Sequence, residues 1–299
     1  NVSIGKDALK GSSFTDDTHG SNITSGDNIT MDGANTNILA GMGVSGTGFA
    51  DGAYVLSITS STIWVVNSGG RTGTVTAGST LTFYSRTSGT VAIGADALTA
   101  LTVGKNNIAI GGTDGTLGSA MQTNTVGSYS IAIGAAAMTV ANAVTNNGTV
   151  AIGHRACQAQ SATGGSEGDA ATTAVGAYAA NALVAAQGTT AIGVEAGMTL
   201  VSTHYNTYVG WRAGKLCIGH NNTALGYAAL DAASGVANDN TAIGMNAMGG
   251  AIGSEAVLNC VAVGSDALSG ALETEASGIV AIGKSALAAL TSGAGNTAV

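Results

Sequence analysis

The side chains of this chain that can do chemistry are few and scattered. Eight carboxylates stand in small groups: Asp16, Asp17, Asp27 and Asp32, then Glu167 with Asp169, then Glu273 with Glu275. Paired carboxylates are what glycoside hydrolysis requires, one as acid and one as base or nucleophile. Asp16, Asp17 and Asp27 also supply the hard oxygens that Ca²⁺ prefers. All eight fall in stretches that read as solvated loops, so no catalytic pair and no metal site is assigned. His19, His154, His204 and His220 come one to a predicted loop and read as solvent-exposed residues, not ligands. Cys157, Cys217 and Cys260 are far apart, form no Cys-x-x-Cys pair and read as small core residues. There is no phosphate loop ending in Gly-Lys-Ser/Thr, no His-Glu-x-x-His, and the Gly-x-Ser-x-Gly matches lack a strand-to-helix setting. The expectation is a protein that is not an enzyme and carries no cofactor.

Aromatic rings are the other candidates, because rigid rings stack on sugar faces at little entropic cost. Tyr205, Tyr208 and Trp211 crowd one short stretch, and Tyr54, Trp64 and Tyr84 lie nearer the N-terminus. These six are candidates for receptor contact, and structural packing is the competing role for each.

The elements that would position them follow from composition and periodicity. The 299 residues include 47 Gly and no Pro, with 45% hydrophobic but only 9% charged residues. Disordered chains are also poor in apolar residues, so this one can bury a core, though with small side chains. Nine Lys plus Arg against a net charge of −8 leave no basic stripe for nucleic acid. No apolar run is long enough for a membrane-spanning helix, so no membrane insertion is expected in this segment.

From Val91 onward one unit recurs: a β-branched residue, Ala, an aliphatic residue, Gly, two variable residues, then Ala. Eleven copies align on Gly94, Gly111, Gly134, Gly153, Gly176, Gly193, Gly210, Gly226, Gly244, Gly264 and Gly283, spaced by 16 to 23 residues. The defining pairs include Ile93–Gly94, Ile133–Gly134, Ile152–Gly153, Ile192–Gly193, Leu225–Gly226, Ile243–Gly244 and Ile282–Gly283. The residue three before the glycine is always Val, Ile or Thr, which is strand chemistry. Glycine after a short strand supplies the positive φ of a sharp corner. A helix opening at Gly-x-x-Ala-Leu is the alternative, but nothing keeps three-to-four apolar spacing for ten residues. The pattern predicts a parallel β-solenoid whose coils are wide enough for two short strands, with the recurring Ala and the Leu or Met that often follows it as a second inward-facing segment. A twelfth copy starts before Val299, and the chain reads as part of something longer.

The strand motif is apolar on both faces, a β-branched and an aliphatic residue on one side and Ala on the other, and such strands are covered on both sides. A thin coil covers only one. The other face is therefore expected to pack against further copies of the chain.

Segments such as Asn222-Thr223-Ala224-Leu225-Gly226-Tyr227-Ala228-Ala229-Leu230 and Gly89-Thr90-Val91-Ala92-Ile93-Gly94-Ala95-Asp96-Ala97-Leu98 resemble the head repeats of trimeric autotransporter adhesins and similar repeats in bacteriophage tail fibres. The resemblance covers about 210 of the 299 residues. It implies a left-handed parallel β-roll in a homotrimer, located in a virion tail fibre or at a cell surface. It also implies a host-surface glycan or protein as receptor, and other virion tail proteins as partners in the phage case. The longer Asn-Thr-Ala-Ile-Gly-type coils favour the phage side.

Residues 1–10 read as a first coil and 90–299 as the repeat region. Between them, 11–89 read as an inserted Ser/Thr/Gly-rich β module, because Gly5 and Gly94 stand far further apart than one coil requires. Strand-like runs at Tyr54–Ile58, Thr62–Val66 and Thr80–Tyr84, with glycine turns between, predict a small antiparallel domain. Its Gly41–Phe49 stretch resembles β modules of phage virion proteins.

Overall fold

A computed structural model describes residues 2–4, 14–17, 28–30, 38, 42–49, 53–59, 62–66, 74, 75, 77 and 80–84. It also describes 87–299 except 103, 114–117, 140–147, 160–170, 185–186, 202, 233–236, 251–256 and 273–275. The described residues form strands and turns and no helix.

Thirteen short strands stack into one parallel sheet. In order they are Val2–Ile4, Val91–Ile93, Ile108–Ile110, Ile131–Ile133, Val150–Ile152, Thr173–Val175, Thr190–Ile192, Thr207–Val209, Thr223–Leu225, Thr241–Ile243, Val261–Val263, Val280–Ile282 and Thr297–Ala298. Every pairing is in register, Ala on Ala through most of the ladder. Val2–Ile4 pairs directly with Val91–Ile93. Twelve steps of about 4.8 Å make a rod roughly 58 Å long.

In the eleven rungs from Val91–Ile93 to Val280–Ile282 the middle residue points inward and is fully buried, as at Ala92, Ala132, Ala174, Ala224 and Ala281, whereas Ser3 in the first rung is exposed and Ala298 in the last is half-buried. Opposite it, the Ala three residues after each glycine and the residue following it close the core: Ala97 with Leu98, Ala137 with Met138, Ala229 with Leu230, Ala267 with Leu268. Alanine against alanine keeps the two walls close, which is why so thin a coil can be solid.

The second wall faces inward, as the recurring Ala suggests, but it is built of turns and not of a strand. Residues two and four after the glycine take left-handed φ, for example Asp96 (58°) and Leu98 (54°), Ala136 (58°) and Met138 (49°), Ala228 (51°) and Leu230 (55°). That alternation curls the chain into tight turns. The fourth residue still donates its N–H to the next coil, as Leu98 to Ala120, Met138 to Ala156 and Leu230 to Ala247. The backbone is therefore satisfied without a strand.

The rung glycines carry a specific steric demand. At Gly134, φ is +130°, and a Cβ would come within 2.6 Å of the Gly153 carbonyl oxygen of the next coil. The same contact repeats along the ladder, so the coils approach more closely here than any side chain allows.

A third left-handed corner stands two residues before the rung. It is occupied by Gly89, Asn106, Gly148, Gly188, Asn221, Asp239, Asn259, Gly278 and Gly295, and by Tyr129 and Tyr205. Gly, Asn and Asp suit that conformation, whereas a bulky side chain pays about 1 kcal/mol or more for it.

Between this corner and the rung runs a buried polar column. Asn206 Oδ1 accepts the backbone N–H of Asn222 at 2.9 Å, Asn222 Oδ1 that of Asn240 at 3.1 Å, and Asn240 Oδ1 that of Cys260 at 2.9 Å. Their amide nitrogens donate to the carbonyls of Gly219, Ala237 and Val257. Asn206, Asn222 and Asn240 thus tie adjacent coils together from within.

A separate six-stranded sheet lies between residues 14 and 84. Its strand order is Phe14–Asp17, Thr80–Tyr84, Gly43–Ser45, Tyr54–Thr59, Thr62–Val66, Asn28–Thr30, all antiparallel. Ile29, Met42, Val44, Val55, Leu81 and Phe83 pack its core. Asp16 and Asp17 belong to a strand here, not to a loop. Asp27, Asp32, Glu167, Asp169, Glu273, Glu275 and His19 lie outside the described residues.

Candidate functional site: the outer face of the rungs

Because Ala turns inward, the first and third residues of each rung must turn outward. They form two parallel columns on one face. The first runs Val91, Ile108, Ile131, Val150, then Thr173, Thr190, Thr207, Thr223 and Thr241, then Val261 and Val280. The second is aliphatic throughout: Ile93, Ile110, Ile133, Ile152, Val175, Ile192, Val209, Leu225, Ile243, Val263 and Ile282. Every member is half-buried or exposed, and Leu225 keeps 47% of its surface. The face is regular and mainly apolar along the rod, with threonine over five successive rungs of the first column. A contiguous apolar surface of this kind marks an interaction site.

Beside the second column, the residue following each glycine forms an edge, and over four coils it is bulky: Val194, Trp211, Tyr227 and Met245, all exposed. Trp211 and Tyr227 stack with centroids 4.8 Å apart and planes 13° from parallel. The Arg212 guanidinium lies 4.9 Å over the Trp211 ring. Arg212 also reaches Asp231 (Nη2 to Oδ2, 3.3 Å), and Lys215 Nζ pairs with Glu195 Oε2 at 2.7 Å, so three successive coils share one ion cluster. Burial pushes the Asp231 carboxyl above its ordinary range, and the Arg212 and Lys215 charges oppose that.

Of the aromatic candidates, Trp211 and Tyr205 are at the surface, on opposite edges of the rung Thr207–Val209. Tyr208 is not a surface residue. It is the middle residue of that rung, so its ring points into the core and is fully buried. Burial, then the neighbouring Cys217, holds its hydroxyl well above the ordinary tyrosine range. Tyr54 is half-buried on a strand, and the side chains of Trp64 and Tyr84 lie outside the described residues. Tyr227 was missing from the candidates. The signal was its offset, directly after Gly226 as Trp211 is directly after Gly210.

His154, His204 and His220 lie outside the strands and are half-buried, and their rings have neighbours. His204 and His220 stack at 5.2 Å on successive coils. Each accepts a backbone N–H of the preceding coil through Nδ1, from Gln187 at 3.2 Å and His204 at 3.0 Å. These bonds put the ring proton on Nε2. His154 packs edge-on against Tyr178 at 5.2 Å. Cys157, Cys217 and Cys260 are buried and free. Among the described residues no three His, Cys, Asp or Glu side chains gather where a metal ion could sit.

No family model, no curated protein and no solved structure matches this chain.

Proposed function

We propose that this chain is a rigid segment of a trimeric fibre, a phage tail fibre or similar virion appendage, that spaces and displays loops toward a host-surface glycan or protein. The observation that carries this reading is the outward face of the rungs: two in-register columns of Val, Ile, Leu and Thr that a single coil leaves in water. At about 58 Å by 10 Å the face approaches the area that one partner contributes to a standard stable interface. No residue has a catalytic part in this reading. The insertion at 11–89 and the coil loops are the parts left to meet a receptor.

Sedimentation equilibrium tests the assembly. Three chains are expected, and the double variant Ile192→Arg/Leu225→Arg should fall to one chain while keeping its β signal, because both side chains lie outside the core. A stable folded monomer of the unaltered protein at micromolar concentration would overturn the reading. The alternative is the head of a bacterial trimeric adhesin. Immunogold labelling with antibody to the purified chain separates the two: label on virion appendages supports the fibre, label on the cell surface the adhesin.

The outward column Thr173, Thr190, Thr207, Thr223 and Thr241 favours one further reading, adsorption to an ordered ice or mineral lattice. The column is a single hydroxyl wide with an aliphatic column beside it, which suits packing against protein better. Thermal hysteresis in a dilute solution would reverse that preference.

A further inference from the structure

We infer that neighbouring copies are joined by an aromatic clasp, Tyr205 of one copy seating against the stacked Trp211 and Tyr227 of the next. This rests on the assembly proposed above and specifies its orientation and register.

The first observation is the cost of Tyr205. It occupies the left-handed corner (φ 57°) that Gly, Asn or Asp fills in most coils, and 62% of its surface is exposed. Within its own chain the ring meets a tilted His204 ring, centroids 6.0 Å apart, and neighbours on the preceding coil, and most of its surface remains for a contact made elsewhere. Its hydroxyl lies 3.4 Å from Gln187 Oε1, and its ring lies over Gly188 of the preceding coil, which has no side chain to displace it.

The second observation is the form of the opposite edge. Trp211 and Tyr227 are separated by the coil spacing, so they stack along the fibre and turn their edges outward. Tyr227 stacks on the Trp211 ring, and the Arg212 guanidinium lies 4.9 Å from its centroid. A sugar packs on a bare ring face, and here Tyr227 and Arg212 compete for the faces of Trp211. A ring edge, however, is what another aromatic face packs against.

The third observation is level. Tyr205 and Trp211 flank the same rung, Thr207–Val209, at the two ends of its apolar face. When copies stand parallel and at equal height around a common axis, the Tyr205 edge of each meets the Trp211 edge of the next. The two edges are unlike, so the contact is heterologous and closes as a ring. An antiparallel pair would instead set like edges together.

Cysteine cross-linking of the full chain tests this. Within one chain the extended rung keeps the Cα atoms of residues 205 and 211 on the order of 10 Å or more apart, beyond the reach of a disulfide. Oxidation of Y205C/W211C should therefore yield covalent species of up to three chains, and neither single variant should cross-link. Absence of this bond in a preparation that sediments as a trimer, or equal cross-linking of a single variant, would overturn the clasp and leave the trimer standing. Sedimentation of the unaltered chain as a monomer would overturn both.

Tyr205→Asn supplies a readout that a merely structural tyrosine would not give. It relieves the strained corner, so the coil should unfold at no lower denaturant concentration, while the dissociation constant of the assembly rises at least about tenfold. Unchanged assembly affinity would overturn the proposal.

Discussion

The ring of Tyr208 occupies the space that a side chain at position 214 would fill. A Cβ on Gly214 would lie 2.6 Å from Cδ1, Cε1 and Cζ of that ring, and a Cβ on Gly197 one coil earlier would lie 3.1 Å from Cδ2. Elsewhere the rung carries Ala and this later position a larger residue such as Leu98, Met138 or Leu230. Large and small have exchanged places across the core, and the coil keeps its thickness.

Tyr208→Ala should therefore leave a cavity and cost about 3–4 kcal/mol in urea unfolding. Adding Gly214→Leu should recover most of it, to within about 1.5 kcal/mol, because it rebuilds the arrangement of the other coils. Position 214 has φ +59°, close to the +54° at which Leu98 is already held, so the leucine meets no new backbone strain. Additive losses in the double-mutant cycle would show that the exchange is not the relevant coupling.

Gly134→Ala and Gly283→Ala impose similar backbone strain, at φ +130° and +120°, but only the first meets a neighbour. At Gly283 the nearest atom is the Val299 carbonyl carbon at 4.0 Å. Gly283→Ala should cost roughly 1–2 kcal/mol and Gly134→Ala at least about 2 kcal/mol more, read from thermal unfolding followed by circular dichroism.

Asn222→Leu should be among the most damaging conservative-volume changes. It removes the acceptor of the Asn240 N–H and the donor to the Ala237 carbonyl, both buried. Two stranded polar groups put the loss at about 3 kcal/mol. Hydrogen exchange should quicken first at Asn240 and its neighbours.

Burial pushes the Cys157 thiol from 9.0 up to about 12. The folded pKa is raised above the unfolded one, so the contribution is fully present below pH 9 and is lost as pH climbs from 9 toward 12. The fall is roughly 1.4 kcal/mol per pH unit in that window. Cys217 and Cys260 shift in the same direction. Urea midpoints between pH 8 and 10.5 should drop less in Cys157→Ala than in the unaltered chain, and Cys157 should resist a thiol reagent at pH 8 until the chain unfolds.

The rungs were legible because three constraints repeat together: a β-branched residue, a small inward one and a corner only glycine can turn. Which face of the rung lies inside was not legible, since Ala and Ile both belong in cores. Coil thickness decided it, and that depends on the opposite wall. The second wall was legible as inward-facing but not as a run of turns, because Ala-Leu says buried without saying which backbone, and its left-handed residues, Asp96, Arg155, Tyr178 and Ser285 among them, share no side-chain type. For Tyr208 the sequence left packing and receptor contact both open, because the glycines at 197 and 214 that make room for the buried ring stand on other parts of the coils. The strands Phe14–Asp17 and Asn28–Thr30 went unread because their sequence is polar.

The bonds between coils, rung to rung and turn to turn, point along the axis of the rod. An end-to-end pull would therefore load them in series, one coil at a time, whereas any seam between parallel copies would be loaded in shear along its whole length. Each coil set free would pay out on the order of 50 Å of chain. A lone rod would unravel from its ends at low force, and a bundled one would have to slide many side chains at once before any coil let go.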